Sequence, residues 1–271
     1  MQNEPVDIPV SEAGAMNTTK DAVPKQVRGT RLRSIPFLIA SAVLGFVSGG
    51  LYFMNHPTPD ATLRNFHVLY YNGAGSTWAN THWLGVPAEK TPQDMWVYQE
   101  IIHETRPDVL IEAGTADGGS AYYFATIFDL LGRGRVVTID IADSPKRPTH
   151  NRIAYIRGSS TAPETIAQIK SMIAPGERVM VSLDSDHRKA HVANELKIYS
   201  DLVTPGCYLV VEDTNVNGHP VYPEFGPGPM EALRDFLKVD SRYQSDHSRE
   251  KFGVTFFPDG WLRRVPLSAS R

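Results

Sequence analysis

Asp108-Val-Leu-Ile-Glu-Ala-Gly-Thr-Ala-Asp-Gly-Gly-Ser120 decides how the rest of the chain is read. Val109 to Ile111 is a short, branched, apolar run behind Pro107, which reads as a buried strand of a parallel sheet. Gly114, Gly118 and Gly119 follow at once, and residues 121–131 have the pattern of a helix that stops at Gly132. Strand, glycine-rich turn and helix is how an open α/β sheet holds a nucleotide-like ligand at its carboxyl edge. No Gly-Lys-Ser/Thr opens the helix, so the turn is not a phosphate loop. The spacing Gly114-x-x-x-Gly118-Gly119 is not the dinucleotide fingerprint either. Glu112, at the strand end, would repel a pyrophosphate and suits a positively charged ligand. S-adenosylmethionine (SAM) carries both a sulfonium and an ammonium. The stretch therefore offers Glu112, Gly114, Thr115, Gly118, Gly119 and Ser120 as donor-binding residues. The bland alternative is a strand-turn-helix that binds nothing.

The flanks repeat the pattern. Arg135–Asp140, 153–156, 178–183 and 207–211 read as further strands, separated by helices at 163–173 and 189–202. A helix precedes the first strand, opening at Thr91-Pro92 with Asp94 in its first turn, and another runs from about Pro229 to Lys238. Residues 252–257 and 261–265, joined by Pro258-Asp-Gly260, read as a closing antiparallel hairpin. This alternation predicts an α/β fold with a doubly wound, mostly parallel sheet over residues 93–267.

The N-terminal part differs. Residues 1–33 lack apolar periodicity and are expected to form a disordered tail. Residues 34–54 contain the uncharged run Ile35–Met54, long enough to cross a bilayer core as an N-terminal transmembrane helix. Lys20, Lys25, Arg28, Arg31 and Arg33 precede it, which places the N-terminus in the cytoplasm and the large domain across the membrane. Ser41, Gly45 and Gly49 form a small-residue row that reads either as a homo-oligomer contact or as the usual composition of such helices. Residues 55–92, punctuated by Pro and Gly and dense in aromatics, read as linker and cap. A net charge of −3 gives no basic field for nucleic acid, and the single cysteine, Cys207, excludes a disulfide framework.

Three strand tips carry candidate chemistry. Asp140 ends the second strand, where an acid accepts hydrogen bonds from ribose hydroxyls. Leu183-Asp184-Ser185-Asp186-His187 leaves the fourth strand and Val211-Glu212-Asp213-Thr214 the fifth. Neighbouring strands lie about 4.8 Å apart, so four carboxylates would crowd one edge. A hard divalent cation such as Mg²⁺ relieves that repulsion. His187 reads either as a base for a substrate hydroxyl or as a helix-start histidine bonded to a carboxylate. His191 is expected to face solvent or the helix layer. His219 is a further candidate for the pocket. The rigid loop Glu224–Pro229 reads either as a substrate wall or as a plain helix entry.

Several separated blocks resemble one family. Trp83-Leu-Gly-Val-Pro87, Asp94-x-Trp96-x-Tyr98-x-Glu100, Glu112-x-Gly114-Thr115 with Gly118-Gly119-Ser120, Leu183–His187, Glu212-Asp213-Thr214 and Gly226-Pro-Gly-Pro229 are similar to the cephalosporin hydroxylase/rhamnosyl O-methyltransferase family, over residues 80–265. The resemblance implies a class I methyltransferase fold, SAM as donor and Mg²⁺ as helper. It implies Asp184, Glu212 and Asp213 as the metal set, with Asp186 replacing or assisting Asp184, and His187 as the base. The expected function is membrane-anchored O-methylation of a hydroxyl on a sugar, glycolipid or related metabolite. The competing expectation is a non-catalytic, anchored glycan-binding or scaffold protein that keeps the fold.

Overall fold

The computed structural model describes residues 58–73 and 77–266, together with Val43 and Gly45. The anchor expected over 34–54 therefore lies outside the described residues, those two positions excepted, as does the tail over 1–33. Among the described residues no helix is long and apolar enough to cross a membrane.

Residues 58–92 are more than a linker. Helix α1 (Pro59–Asn72) starts under Thr58, whose hydroxyl accepts from the Ala61 amide. A 3₁₀ turn (Thr77–Asn80) follows, then a two-stranded ribbon of β1 (His82–Trp83) and β2 (Val86–Pro87). Helix α2 (Pro92–Thr105) begins with Thr91 as its cap and proline in its first turn.

The main sheet contains β3 (Val109–Ala113), β4 (Arg135–Asp140), β5 (Ile153–Arg157), β6 (Val179–Leu183), β7 (Tyr208–Val211), β8 (Tyr243–Ser245) and β9 (Trp261–Arg264). Their order is β5-β4-β3-β6-β7-β9-β8, parallel from β5 to β7. Three crossovers are helical, α3 (Gly119–Leu131), α4 (Pro163–Ser171) and α5 (Lys189–Tyr199), while β4 reaches β5 through residues 141–152 without a helix; α6 (Pro229–Val239) precedes the last two strands. Side chains on β3 alternate between two apolar layers, as period-2 geometry requires. Val109, Ile111 and Ala113 pack with residues of α4, α5 and α6, while Leu110 packs with Tyr98, Phe124 and Phe128 of α2 and α3. Phe124 and Phe128 are fully buried; such burial stabilises by roughly 1.5–3 kcal/mol per side chain. The chain leaves β3 toward β4 on one side and returns as β6 on the other. That reversal opens a crevice at the carboxyl ends of the strands.

The expected terminal hairpin is half right. Strand β9 is antiparallel, but it pairs with β7 and β8, and residues 252–257 form no strand. The reason lies on α2. The buried carboxylate of Asp94 accepts from the Thr255 hydroxyl at 2.6 Å and the Phe256 amide at 2.9 Å. That segment spends its donors on a helix, not on a ladder, and Phe256 inserts beneath α1 against His67 and Tyr71.

Candidate active site

A cavity of about 600 Å³ lies at the carboxyl ends of β3, β4, β5, β6 and β7. Such a volume suits a small-molecule site. Gly114, Thr115, Gly119, Ser120 and Asp140 line one side, around the glycine turn; Asp184, Asp186, His187 and Asp213 line the other. Glu112, Gly118 and Glu212 do not reach its surface.

The glycine turn is shaped by protein as much as by any ligand. A Cβ on Gly114, at φ +102°, would stand 1.8 Å from the Asp184 carbonyl oxygen. One on Gly119 would stand 2.0 Å from the Pro87 carbonyl oxygen. The absent side chains let the turn lie directly on the β6 tip and on β2. Asp140 closes the turn: one oxygen accepts from the Thr115 and Ala116 amides at 3.1 and 2.9 Å, the other from Ala142. Glu112 is wholly buried. One oxygen accepts from the Thr138 hydroxyl at 2.6 Å and the other, Oε1, has no partner. Burial pushes this carboxyl up to about 7. A buried acid beneath the turn favours, through space and when ionised, a ligand that carries positive charge above it, as SAM does.

The acidic side is built from far-apart segments. Ends of the parallel strands β6 and β7 bring Asp184 and Asp213 to the same ring nitrogen of His187. Its Nε2 lies 3.2 Å from Asp184 Oδ1 and 3.3 Å from Asp213 Oδ2. These three offer ligand atoms within 4.8 Å of one another. Asp213 sits at φ +52°, a left-handed conformation that Asp tolerates better than most residues. Burial opposes charge on His187, but Asp213 and Asp184 outweigh it and hold the imidazole up to about 9. Carboxylate oxygens at this spacing suit a hard divalent cation.

Glu212 points the other way, into the protein. Its Oε1 accepts from the Tyr98 hydroxyl at 2.7 Å and the Ser182 hydroxyl at 2.5 Å; its Oε2 accepts from Lys90 Nζ at 2.5 Å. Lys90 also donates to Asp184 Oδ2 at 2.7 Å. Burial and the Asp184 charge raise the Glu212 carboxyl. Every partner it has is nevertheless a donor, which is the arrangement of an ionised carboxylate. Burial alone would lower the Lys90 ammonium; Asp184 and Glu212 raise it instead. Lys90 and Ser182 carry no motif of their own in the sequence. The only local signal is position, since Lys90 directly precedes the Thr91-Pro92 helix start.

The remaining candidates separate. Asp186 lines the cavity, but Arg188 takes its carboxylate and holds it down to about 2. His191, expected at the solvent or the helix layer, is partly exposed, lines the cavity, and lies 3.1 Å from the Ser160 hydroxyl and 3.3 Å from Glu195 of its own helix. His219 is not on the cavity wall, because Glu231 binds its Nε2 at 2.8 Å. The wall beside it is made by Tyr222 and Phe225, not by Gly226–Pro229. Of the aromatics in the cap, Tyr71 and Trp78 reach the cavity, whereas Trp83 packs on Tyr123 of α3.

Residues 75–265 match the model of the family described as Rhamnosyl O-methyltransferase/CmcI. A rhamnosyl O-methyltransferase of Mycobacterium tuberculosis (strain ATCC 25618 / H37Rv) is 41% identical over 213 residues, covering 76% of this chain and 86% of that protein. One of Mycobacterium leprae (strain TN) is 40% identical over 225 residues, covering 80% and 95%. A solved structure of CmcI with Mg and SAM superimposes with a TM-score of 0.54 at 22% identity, over 69% of this chain and 78% of that one; it shows the common fold. The chain belongs to the Rhamnosyl O-methyltransferase/CmcI family and is an O-methyltransferase. The non-catalytic alternative falls away.

Proposed function

From that membership we propose that the protein transfers the methyl group of SAM to a hydroxyl of a rhamnosyl or related sugar, on a glycolipid or a smaller glycoside, with a divalent cation in the acidic cluster. The observation that carries the reading is the convergence of Asp184, His187 and Asp213 on one cavity with the glycine turn. The donor would lie along Gly114, Thr115, Gly119 and Ser120, with Glu112 behind its charged end and Asp140 at its ribose. Asp184 and Asp213 would hold Mg²⁺, with Glu212 behind them and Asp186 at the rim. When bound, the cation would neutralise these carboxylates and polarise the acceptor oxygen, and SAM would supply the methyl.

The chain's own groups do the rest. Tyr71, Trp78, Tyr222 and Phe225 line the cavity and would flank the acceptor. His187 faces the cavity and takes the proton from the acceptor hydroxyl. In the free protein it is held protonated by its two acids; it serves as a base once they are otherwise neutralised. Positioning of donor and acceptor within one cavity supplies much of the rate.

The domain boundaries at 33 and 54 and the anchor over 34–54, with a cytoplasmic N-terminus, belong to the same proposal, and their support is the uncharged run behind a basic flank. The boundary at 92 rests on the proline and glycine punctuation before the Thr91-Pro92 helix start, across which α1 and the β1–β2 ribbon pack onto the rest of the domain. Alkaline carbonate extraction of membranes tests the anchor: release of the full chain into the supernatant would refute it. Mass spectrometry of products tests the reaction. Incubation with SAM and a rhamnosyl glycoside should yield acceptor heavier by one methyl, together with S-adenosylhomocysteine. An unmodified panel of rhamnosyl and other sugar acceptors would overturn the proposal.

A further inference from the structure

Lys90 is the buried cation of the cluster and has no place in the reaction as described. Its side chain is 3% exposed, and its Nζ lies between Asp184 Oδ2 and Glu212 Oε2. A lysine is almost never fully buried unless paired. Here its backbone amide is tied to the Thr81 hydroxyl at 3.1 Å, and the next residue caps α2. Phe257 flanks the ammonium, with its ring centre 5.9 Å away. The ammonium thus approaches the cluster from behind, on the side away from the cavity. It occupies one oxygen of Asp184 and leaves the other, Oδ1, facing His187.

We propose that Lys90 is a positioning residue that sets which cation charge the acidic cluster accepts. Asp184, Glu212 and Asp213 bring three negative charges. Lys90 cancels one and, with His187 neutral, the form in which it serves as a base, leaves two to be met by an ion arriving from the cavity. A divalent ion closes that balance, whereas a trivalent ion leaves an excess positive charge in a buried site, where unbalanced charge is expensive. The same contacts pin the free oxygen of Asp184 at the cavity. This inference rests on the divalent-cation reading above.

The test uses the full chain titrated with Mn²⁺, read by electron paramagnetic resonance, and with Tb³⁺, read by luminescence. Lys90→Met should raise the preference for Tb³⁺ over Mn²⁺ at least tenfold. Lys90→Arg, which keeps the charge, should leave the preference near that of the unsubstituted protein. Lys90→Met combined with Glu212→Gln removes one charge of each sign and should restore the original preference even where the single variant is poorly folded. An unchanged preference in folded Lys90→Met, or a double variant that stays shifted, would overturn the proposal. Absence of binding of either ion by the unsubstituted protein is a different result: it removes the cation reading itself, and this inference with it.

Discussion

The two sides of the cavity are made in different ways. The side proposed for the donor comes from one continuous stretch, Glu112 to Ser120, with Asp140 tying its amides in place. It is mostly backbone, shaped by missing side chains. The acidic side is assembled from residues far apart in sequence: Lys90, Tyr98 and Ser182 behind, Asp184, His187 and Asp213 in front. It is nearly all side chain and charge. The glycine-turn side is therefore most vulnerable to added bulk, and the acidic side to loss of charge.

Charge loss on the acidic side should have the largest effect. Asp213→Asn keeps the volume and removes one carboxylate from the cluster. Turnover should fall about a hundred- to a thousand-fold, the scale of losing one electrostatic contact to developing charge, with SAM binding by calorimetry little changed. Equal losses in turnover and SAM affinity would erase the distinction between the two sides.

Bulk on the donor side comes next. Gly114→Ala places a Cβ against the Asp184 carbonyl oxygen at a positive φ. Overpacking of this kind costs about 1–3 kcal/mol, and the strained φ adds to it. The melting temperature should drop by roughly 5–10 °C. A stable Gly114→Ala variant would show that the turn has room the structure does not give it.

A smaller effect is expected where the acceptor wall is held from outside the cluster. Glu231 accepts from the Gly228 amide at 2.6 Å, His219 at 2.8 Å and Asn217 at 3.1 Å, which fixes the loop that carries Tyr222 and Phe225. Glu231→Ala should raise KM for the acceptor roughly tenfold, the equivalent of one charged hydrogen bond, with kcat largely retained. A loss confined to kcat would place Glu231 in the chemistry instead.

The mildest effect is on pH dependence. Burial raises the folded value of Glu112 from 4.5 to about 7. Between these values the native state keeps a proton that the unfolded chain releases, so stability of the ligand-free protein falls as pH rises through the window. Asp94, raised by burial from 3.8 to about 6, adds a separate decline. Glu112→Gln should flatten the melting-temperature profile between about pH 6 and 7 and leave the Asp94 part. An unaltered profile would mean that Glu112 is ionised in the free protein.

The same contrast explains what was legible in the sequence. Strands β3 to β7 and the glycine turn were readable because periodicity and turn chemistry are local. The acids at the β6 and β7 tips were readable because each tip is short and the topology brings neighbouring tips together. Lys90 was not, since its partners are on β6 and β7 and no local pattern announces them. Helix α1 was hidden by the prolines and glycines around it. The false hairpin strand at 252–257 had the right alternation, but Asp94 claimed its donors from another element. His219 looked available until the fold placed Glu231 beside it. The sequence-level reason for the glycines was also incomplete: Gly114 and Gly119 are required by neighbouring backbone before any ligand arrives.

The most direct test of the account is turnover of a rhamnosyl acceptor with SAM in Mg²⁺, in EDTA, and after Mg²⁺ is restored. Methylation should stop in EDTA and return with Mg²⁺, and Asp213→Asn should show little return. Full methylation in EDTA by the unsubstituted protein would contradict it.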